Sequence, residues 1–202
     1  MSNILKRCDC RKKRVLVAIL LLLLAATILF QALPEAQQSL IRYDRRAILS
    51  GEWWRLFSGH FLHLGWIHLA LNLAGLMMIM VLFWRYWTTS RFLLMFLFSL
   101  LAVNMGLWWF ATPVQWYVGL SGVLHGLLIA GALFSYRDER WFAITMIVIV
   151  SGKLAWEQVT RSSAGTAELI GGNVLFDAHL YGFTGGLLSA MMLIFVHTRT
   201  ET

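Results

Sequence analysis

The chain of 202 residues has the length of one domain, but 59% of its residues are hydrophobic and only 13% are charged. Soluble proteins have roughly 45–50% apolar and about 25% charged residues, so the composition disfavours a soluble domain, a disordered chain and a nucleic-acid-binding protein. The net charge of +7 fits a membrane protein instead, because Lys and Arg collect in its cytoplasmic segments.

The first predicted element is an apolar span over residues 15–33, which follows the basic run Arg11-Lys12-Lys13-Arg14. About 20 apolar residues cross a bilayer as a helix. A signal peptide also has a basic start and an apolar run, but no clear small-residue cleavage site follows, so a retained helix is predicted. Cys8 and Cys10 lie too close together for an ordinary disulfide.

Five more spans follow along the chain and give six in all. Between the first two, residues 34–64 form a long, aromatic-rich connection, and residues 158–174 are interpreted as a loop. The sequence predicts an all-α polytopic membrane protein with a basic N-terminus (1–14), a six-helix domain (15–196) and a short tail (197–202). The further spans are predicted over residues 65–84, 91–110, 117–135, 141–157 and 175–196.

The distribution of basic residues predicts the orientation. With the N-terminus in the cytoplasm, the inside segments hold 11 of the 17 Lys and Arg residues, the outside segments hold five, and Lys153 lies within the fifth span. This bias predicts that both termini are cytoplasmic.

Four polar side chains are predicted at a similar depth in three spans that all run from outside to inside. His68 and Asn72 lie near the start of span two, Ser121 near the start of span four and His179 near the start of span six. Ser121 and His179 are each placed roughly 6 Å below the outer end of their helix. Polar groups inside a bilayer are costly, which makes this group a candidate functional site.

These residue types suit acyl transfer. A serine hydroxyl is a weak nucleophile that needs an adjacent base, usually histidine. The oxyanion of the tetrahedral intermediate needs fixed donors, which an Asn amide, a His N–H and a backbone N–H can supply. His68 and Asn72 share one helix face because they are four residues apart.

Glycines surround both candidate catalytic residues. Gly119, Ser121 and Gly122 form a G-x-S-G motif, and the segment after Ala178-His179 fits A-H-x-x-G-x-x-x-G with Gly182 in its first glycine position. Glycines let transmembrane helices approach closely. A Ser–His pair carried on spans four and six requires that approach.

Together with Trp54-Arg55 and His63, these motifs resemble the rhomboid family of intramembrane serine proteases over about residues 50–190. The resemblance implies a six-helix bundle in which Ser121 is the nucleophile and His179 the general base, a dyad with no acidic third member. It implies an oxyanion hole of His68, Asn72 and the Ser121 backbone N–H. No metal, nucleotide or other cofactor is implied.

His125 departs from the family pattern, because rhomboids usually carry an aromatic residue four positions after the serine. The segment G-L-S-G-V-L-H-G resembles the corresponding segment of the rhombosortase subgroup. Its members are implied to process proteins that end in a Gly-Gly, a transmembrane helix and a basic tail. A second imidazole near Ser121 leaves the choice of base open from sequence alone. His179 is preferred, because a side chain on the same helix is poorly placed to orient the hydroxyl.

Other polar residues are given structural interpretations. His60 and His63 are expected at the membrane interface rather than as metal ligands, and Trp54-Arg55 is expected to anchor the outer loop there. Lys153 and Glu157, four residues apart in span five, are predicted to form an ion pair and not a catalytic pair. Asp177 is not expected to orient His179.

The sequence therefore predicts an intramembrane serine endopeptidase of the bacterial inner membrane, with its site open to the outer face. Its partners would be transmembrane protein substrates within the lipid bilayer. One alternative is a catalytically inactive rhomboid-like protein that binds transmembrane segments. A transporter is a second alternative, but it would need a polar path, and the inner halves of spans two and four, residues 73–82 and 127–134, are almost wholly apolar.

Overall fold

The computed structural model describes residues 2–162 and 165–200, without the side chains of residues 2–12, 197 and 200. The side chains of Cys8 and Cys10 therefore lie outside the described part. Within it, a 3-10 turn covers Gly59–Phe61, and two short antiparallel strands pair, β1 (Tyr43–Asp44) with β2 (Trp116–Tyr117). The helices are α1 (Ser2–Gln31), α2 (Glu35–Ile41), α3 (Arg45–Leu49), α4 (Arg55–Ser58), α5 (Trp66–Phe83), α6 (Thr89–Trp109), α7 (Ser121–Ser135), α8 (Arg140–Thr160), α9 (Thr166–Ile170) and α10 (Phe176–Thr200).

The architecture confirms an all-α membrane protein. Among residues 2–162 and 165–200, five helical segments are long and apolar enough to cross a membrane. Each corresponds to a predicted span, and the predicted fourth span corresponds to the shorter apolar helix α7. The five segments are Lys13–Gln31, Trp66–Phe83, Thr89–Trp109, Arg140–Thr160 and Phe176–Val196.

Helix α7 differs from the span predicted over residues 117–135, because it begins only at Ser121 and has 15 residues. The residues before it are not helical for two reasons. Tyr117 pairs with Tyr43 in the two-stranded sheet, and Gly119 has a φ of +122°, which a helix does not accommodate. Ser121 is therefore the first residue of a helix rather than a residue inside one.

The predicted loop over residues 158–174 is partly wrong. Helix α8 continues to Thr160 and ends where Arg161 adopts a left-handed conformation with φ 50°. The short helix α9 then occupies part of the segment, between Gly165 and Gly171. Helix α1 already begins at Ser2, and its segment that is apolar enough to cross a membrane is Lys13–Gln31; the basic N-terminus, 1–14, stays a prediction.

Helices α7 and α10 pack parallel to each other with their backbones in close approach. A Cβ added to Gly122 would lie 2.6 Å from the carbonyl oxygen of Ala178, and one added to Gly126 would lie 2.5 Å from that of Gly182. Gly186 faces Gly126 in the same way one turn further on. The close approach predicted from the glycine motifs is confirmed, and it sets the distance between the starts of the two helices.

The long connection 34–64 is held together from its interior by Arg55. This side chain is 4% exposed and donates to the carbonyl oxygens of Ser39 and Arg42 while it pairs with Glu52. Trp54 is 55% exposed. Arg55 therefore anchors the loop from its interior, by donating to carbonyl groups of the loop itself, and the position of both residues at the membrane interface stays a prediction.

His60 and His63 are also buried, at 0% and 2% exposure, while their interfacial depth in the membrane stays a prediction. The ring of His60 contacts the side-chain oxygen of Asn104 at 3.4 Å, and the backbone N–H of His63 donates to the side-chain oxygen of Gln31. Burial lowers the pKa of His60 to about 4 and that of His63 to about 3, which keeps both neutral. They tie the connection to α6 and α1.

Candidate active site

Ser121 and His179 are brought together as predicted. Ser121 is the first residue of α7 and His179 lies in the first turn of α10. The Oγ of Ser121 lies 3.0 Å from Nε2 of His179, a hydrogen-bond distance. The glycine contacts between the two helices produce this separation, because they place the two helix starts side by side.

A carboxylate lies on the other side of the His179 ring. Oε2 of Glu157 is 2.9 Å from Nδ1 of His179, and both side chains are 8% exposed. The predicted ion pair is confirmed, since Nζ of Lys153 lies 2.6 Å from Oε1 of the same carboxylate. Glu157 is thus an acidic neighbour of His179 that the sequence did not place there, and the dyad without an acidic third member stays a prediction. Asp177 pairs with Arg161 instead and does not orient His179.

His125 stacks flat on His179, with ring centroids 4.3 Å apart and planes 18° apart. Its Nδ1 lies 2.8 Å from the backbone carbonyl oxygen of Ser121, and its Nε2 lies 3.0 Å from Nζ of Lys153. Its ring nitrogens are thus engaged with the backbone and with Lys153. His179, not His125, meets the Ser121 hydroxyl, in agreement with the preferred sequence interpretation.

His68 faces the same space from α5. Its Nδ1 accepts a hydrogen bond from the backbone N–H of Leu64 at 3.3 Å. A neutral imidazole with an accepting Nδ1 carries its proton on Nε2, so His68 presents an N–H donor. Gly119 leaves room for this ring, because a Cβ there would lie 3.0 Å from Cε1 of His68.

Asn72 lies one turn further along α5. Its side-chain nitrogen donates to the carbonyl oxygen of His68 at 2.9 Å. An amide nitrogen carries two N–H groups, and Asn72 lines the cavity together with His68 and Ser121. Both predicted oxyanion residues therefore line the same cavity as the serine.

A cavity of about 820 Å³ contains these groups. Its walls are mostly apolar and come from α5, α7, α8 and the chain between α9 and α10. Leu71 and Met78 on α5 and Ile149 on α8 line it and are 46%, 51% and 58% exposed. The cavity therefore has accessible apolar walls on both α5 and α8.

Among the described residues, one cluster could be considered for a metal ion, with ligand atoms of His125, Glu157 and His179 all within 4.8 Å of one another. The Lys153 ammonium group already bonds to His125 and to Glu157. A positive charge thus lies against two of the three side chains. This arrangement favours a hydrogen-bond network rather than a cation site.

Comparison with known proteins agrees with the geometry. The family model "Rhomboid domain" matches residues 50–195. The chain belongs to the rhomboid family. The match covers every residue of the site described above, from His68 on α5 to His179 on α10.

Three rhomboid relatives are similar over most of this chain. "Putative rhomboid protease YdcA" of Bacillus subtilis is 27% identical over 184 residues, which is 88% of each chain. "Rhomboid-like protease 5" of Toxoplasma gondii is 31% identical over 152 residues, 69% of this chain and 18% of the relative. "Rhomboid protease GluP" of Bacillus subtilis is 29% identical over 164 residues, 75% of this chain and 32% of the relative. The chain is a rhomboid-type intramembrane serine protease.

Proposed function

We propose that the chain hydrolyses a peptide bond in transmembrane segments of membrane proteins, with Ser121 as the nucleophile and His179 as the general base. The observation that carries the proposal is the 3.0 Å contact between Oγ of Ser121 and Nε2 of His179. It lies in a cavity with apolar walls on α5 and α8, and a substrate helix in the bilayer would enter between these two helices.

The proposed reaction uses these two side chains in turn. Oγ of Ser121 attacks the scissile carbonyl carbon while His179 takes its proton, and His179 then gives that proton to the departing amine. The C–N bond breaks and an ester on Ser121 remains. A water molecule, deprotonated by His179, hydrolyses the ester and restores the serine, so the products are a carboxylate and an amine.

The oxyanion of the tetrahedral intermediate would be held by His68, Asn72 and the backbone N–H of Ser121. The first N–H groups of a helix have no intrahelical acceptor, which leaves the Ser121 N–H available at the start of α7. Fixed donors in a site that excludes bulk water stabilise such a charge strongly. The tautomer of His68 and the second amide N–H of Asn72 support this role.

We expect substrates that unwind easily next to the cut. A transmembrane helix must open locally to present its backbone to Ser121, and each glycine lowers helix stability by roughly 1 kcal/mol relative to alanine. A Gly-Gly followed by a helix and a basic tail meets this requirement. The rhombosortase-like segment around Ser121 and His125 supports such a substrate for this chain.

The proposed orientation follows the basic residues. Both termini face the cytoplasm of a bacterial inner membrane, and the starts of α5, α7 and α10 lie toward the outer face. The cut is then made near that face, where water reaches the site.

The experiment that tests the function uses a co-expressed membrane protein with a Gly-Gly, a helix and a basic tail. We expect the chain to cut this tail, and a fluorophosphonate probe to label Ser121. The matched control substrate carries Leu-Leu in place of Gly-Gly and is cut at least about tenfold more slowly, because its helix is harder to open.

The outcomes separate the alternatives. Equal cutting of both tails contradicts the Gly-Gly preference but keeps the protease. No cutting of any transmembrane segment and no labelling of Ser121, in folded protein, indicates an inactive binder of transmembrane segments. Movement of a solute across proteoliposomes without either reaction indicates a transporter.

Removal of the oxyanion donors gives a separate prediction. Asn72→Ala and His68→Ala are each expected to lower kcat by about 10²–10³ with a smaller change in KM, because the donors act on charge that develops in the transition state. Substrate cleavage by purified variants in detergent measures both constants. A raised KM at unchanged kcat would contradict the role, since it would assign these side chains to substrate binding.

A further inference from the structure

The acidic side chain beside the catalytic histidine has an arrangement that an ion pair alone does not explain. We propose that Glu157 is a positioning residue that fixes the tautomer of His179, and that Lys153 fixes Glu157 in turn. The site then works as a Ser–His–Glu triad rather than as a pair. This inference rests on the proposed roles of Ser121 and His179.

The hydrogen-bond chemistry of Glu157 determines where the His179 proton lies. An ionised carboxylate only accepts hydrogen bonds, so Nδ1 of His179, 2.9 Å from Oε2, must be the protonated ring nitrogen. Nε2 then carries the lone pair that faces the Ser121 hydroxyl at 3.0 Å. This is the tautomer that can take the serine proton, and the same carboxylate stabilises the imidazolium that forms.

Lys153 holds the other carboxylate oxygen and reaches the second histidine. An ammonium group only donates hydrogen bonds, so Oε1 of Glu157 and Nε2 of His125 both act as acceptors toward it. His125 must then carry its proton on Nδ1, which donates to the Ser121 carbonyl oxygen at 2.8 Å. Each of these hydrogen bonds from Lys153 to Ser121 then joins one donor to one acceptor, which assigns a tautomer to both histidines.

Burial fixes the orientation of the Glu157 carboxylate and of the His179 ring. The side chain of Glu157 is 8% exposed and that of Lys153 is 47% exposed at the cavity. A buried carboxylate without partners is strongly unfavourable, and here it has the ammonium group on one oxygen and the imidazole on the other. The carboxylate therefore cannot turn away from His179 without losing a bond, and the ring cannot flip without losing two.

The test exploits the difference between a carboxylate and an amide. In Glu157→Gln, Lys153 still needs an acceptor and takes the single amide oxygen, so the amide N–H₂ group faces His179. Nδ1 must then accept, the proton moves to Nε2, and the ring can no longer take the Ser121 proton. We expect kcat to fall by about 10³–10⁴ with little change in KM, as for other buried acids that fix a catalytic imidazole.

A second substitution is expected to restore activity. In Lys153→Met/Glu157→Gln the amide oxygen is free to turn to His179, which regains the productive tautomer. The double variant should cleave at least about tenfold faster than Glu157→Gln, whereas Lys153→Met alone should lose less than about tenfold. The exposed acid Glu168 on α9 supplies the matched control, since Glu168→Gln should behave as the wild type.

The readouts are substrate cleavage, the rate of Ser121 labelling by a fluorophosphonate, and ¹⁵N NMR of the histidine rings in micelles, each per amount of folded protein. The wild-type spectrum should show His179 protonated at Nδ1. A His179 protonated at Nε2, an active Glu157→Gln, or a Glu157→Gln that the second substitution does not restore would each overturn the inference. Labelling of Ser121 in the wild type tests the proposed function independently, so the role of Glu157 can fail while the role of Ser121 stands.

Discussion

Replacement of Ser121 by alanine is expected to abolish cleavage of transmembrane substrates while the protein still accumulates in the membrane. The hydroxyl is the attacking atom, and water does not replace it because His179 and the oxyanion donors are arranged around Oγ. By analogy with other serine hydrolases kcat should fall by about 10⁴–10⁶. Cleavage of the Gly-Gly tail by purified protein in detergent measures the loss.

The losses in kcat of the Ser121 and His179 variants are expected to be non-additive. His179→Ala should cost about as much as Ser121→Ala, and the double variant should be no slower than either, because the two residues act as one unit. Ser135→Ala is the control, since Ser135 lies in the same helix and its hydroxyl donates to the backbone carbonyl oxygen of Ala132, away from the site. Multiplied losses in the double variant would mean that the two side chains act in separate steps.

Replacement of Gly182 by alanine is expected to separate α7 from α10. Its added Cβ would fall well inside van der Waals distance of the backbone of Gly122, and backbone cannot rotate away as a side chain can. The helices must move apart, which costs about 3 kcal/mol, the upper end of the range for overpacking. The same movement lengthens the contact between Ser121 and His179, so activity should fall together with the melting temperature in detergent.

Gly152→Ala is the matched control for this substitution. Gly152 also lies in a membrane-spanning helix, α8, but a Cβ there meets no atom within 4 Å. Alanine should therefore leave activity unchanged and raise stability slightly, since alanine is the better helix former. If Gly182→Ala behaves like Gly152→Ala, the glycines of α10 do not set the distance between the catalytic residues.

The sequence was sufficient to predict which helices carry the site. Apolar run lengths gave the spans, and His68, Asn72, Ser121 and His179 were each placed near the outer start of a span, although Ser121 proved to be the first residue of α7. The glycine spacing indicated which two helices touch. These features are local, because periodicity, helix rise and residue size determine them within a single helix.

The position of Glu157 could not be predicted in the same way. Lys153 and Glu157 are four residues apart on one helix, and an ion pair between them already explains both charges. The sequence near them therefore does not indicate a third partner. The contact with His179 depends on how α8 lies against α10, which only the tertiary packing defines. One feature of the sequence does indicate it. Glu157 is an acid in an apolar span, and it lies near the outer end of span five, at the same depth as the start of span six.

The burial of polar residues in the connection before α5 was not predicted, for a related reason. His60, His63 and Arg55 are polar residues in a stretch without periodicity, which favours an exposed loop. Their burial comes from distant partners on α1 and α6 and from the loop's own carbonyl groups. The late start of α7 has the same origin, since strand pairing between Tyr43 and Tyr117 removes a turn that the apolar pattern alone would make helical.

The short length of α7 has a consequence for the water above the site. Its 15 residues extend about 22 Å, less than the roughly 30 Å of a hydrocarbon core. Most of them are buried among the longer helices, so the missing length leaves a depression above Ser121 that water can fill. The unwound end of a substrate segment is solvated there, whereas in lipid its free backbone groups would find no partner.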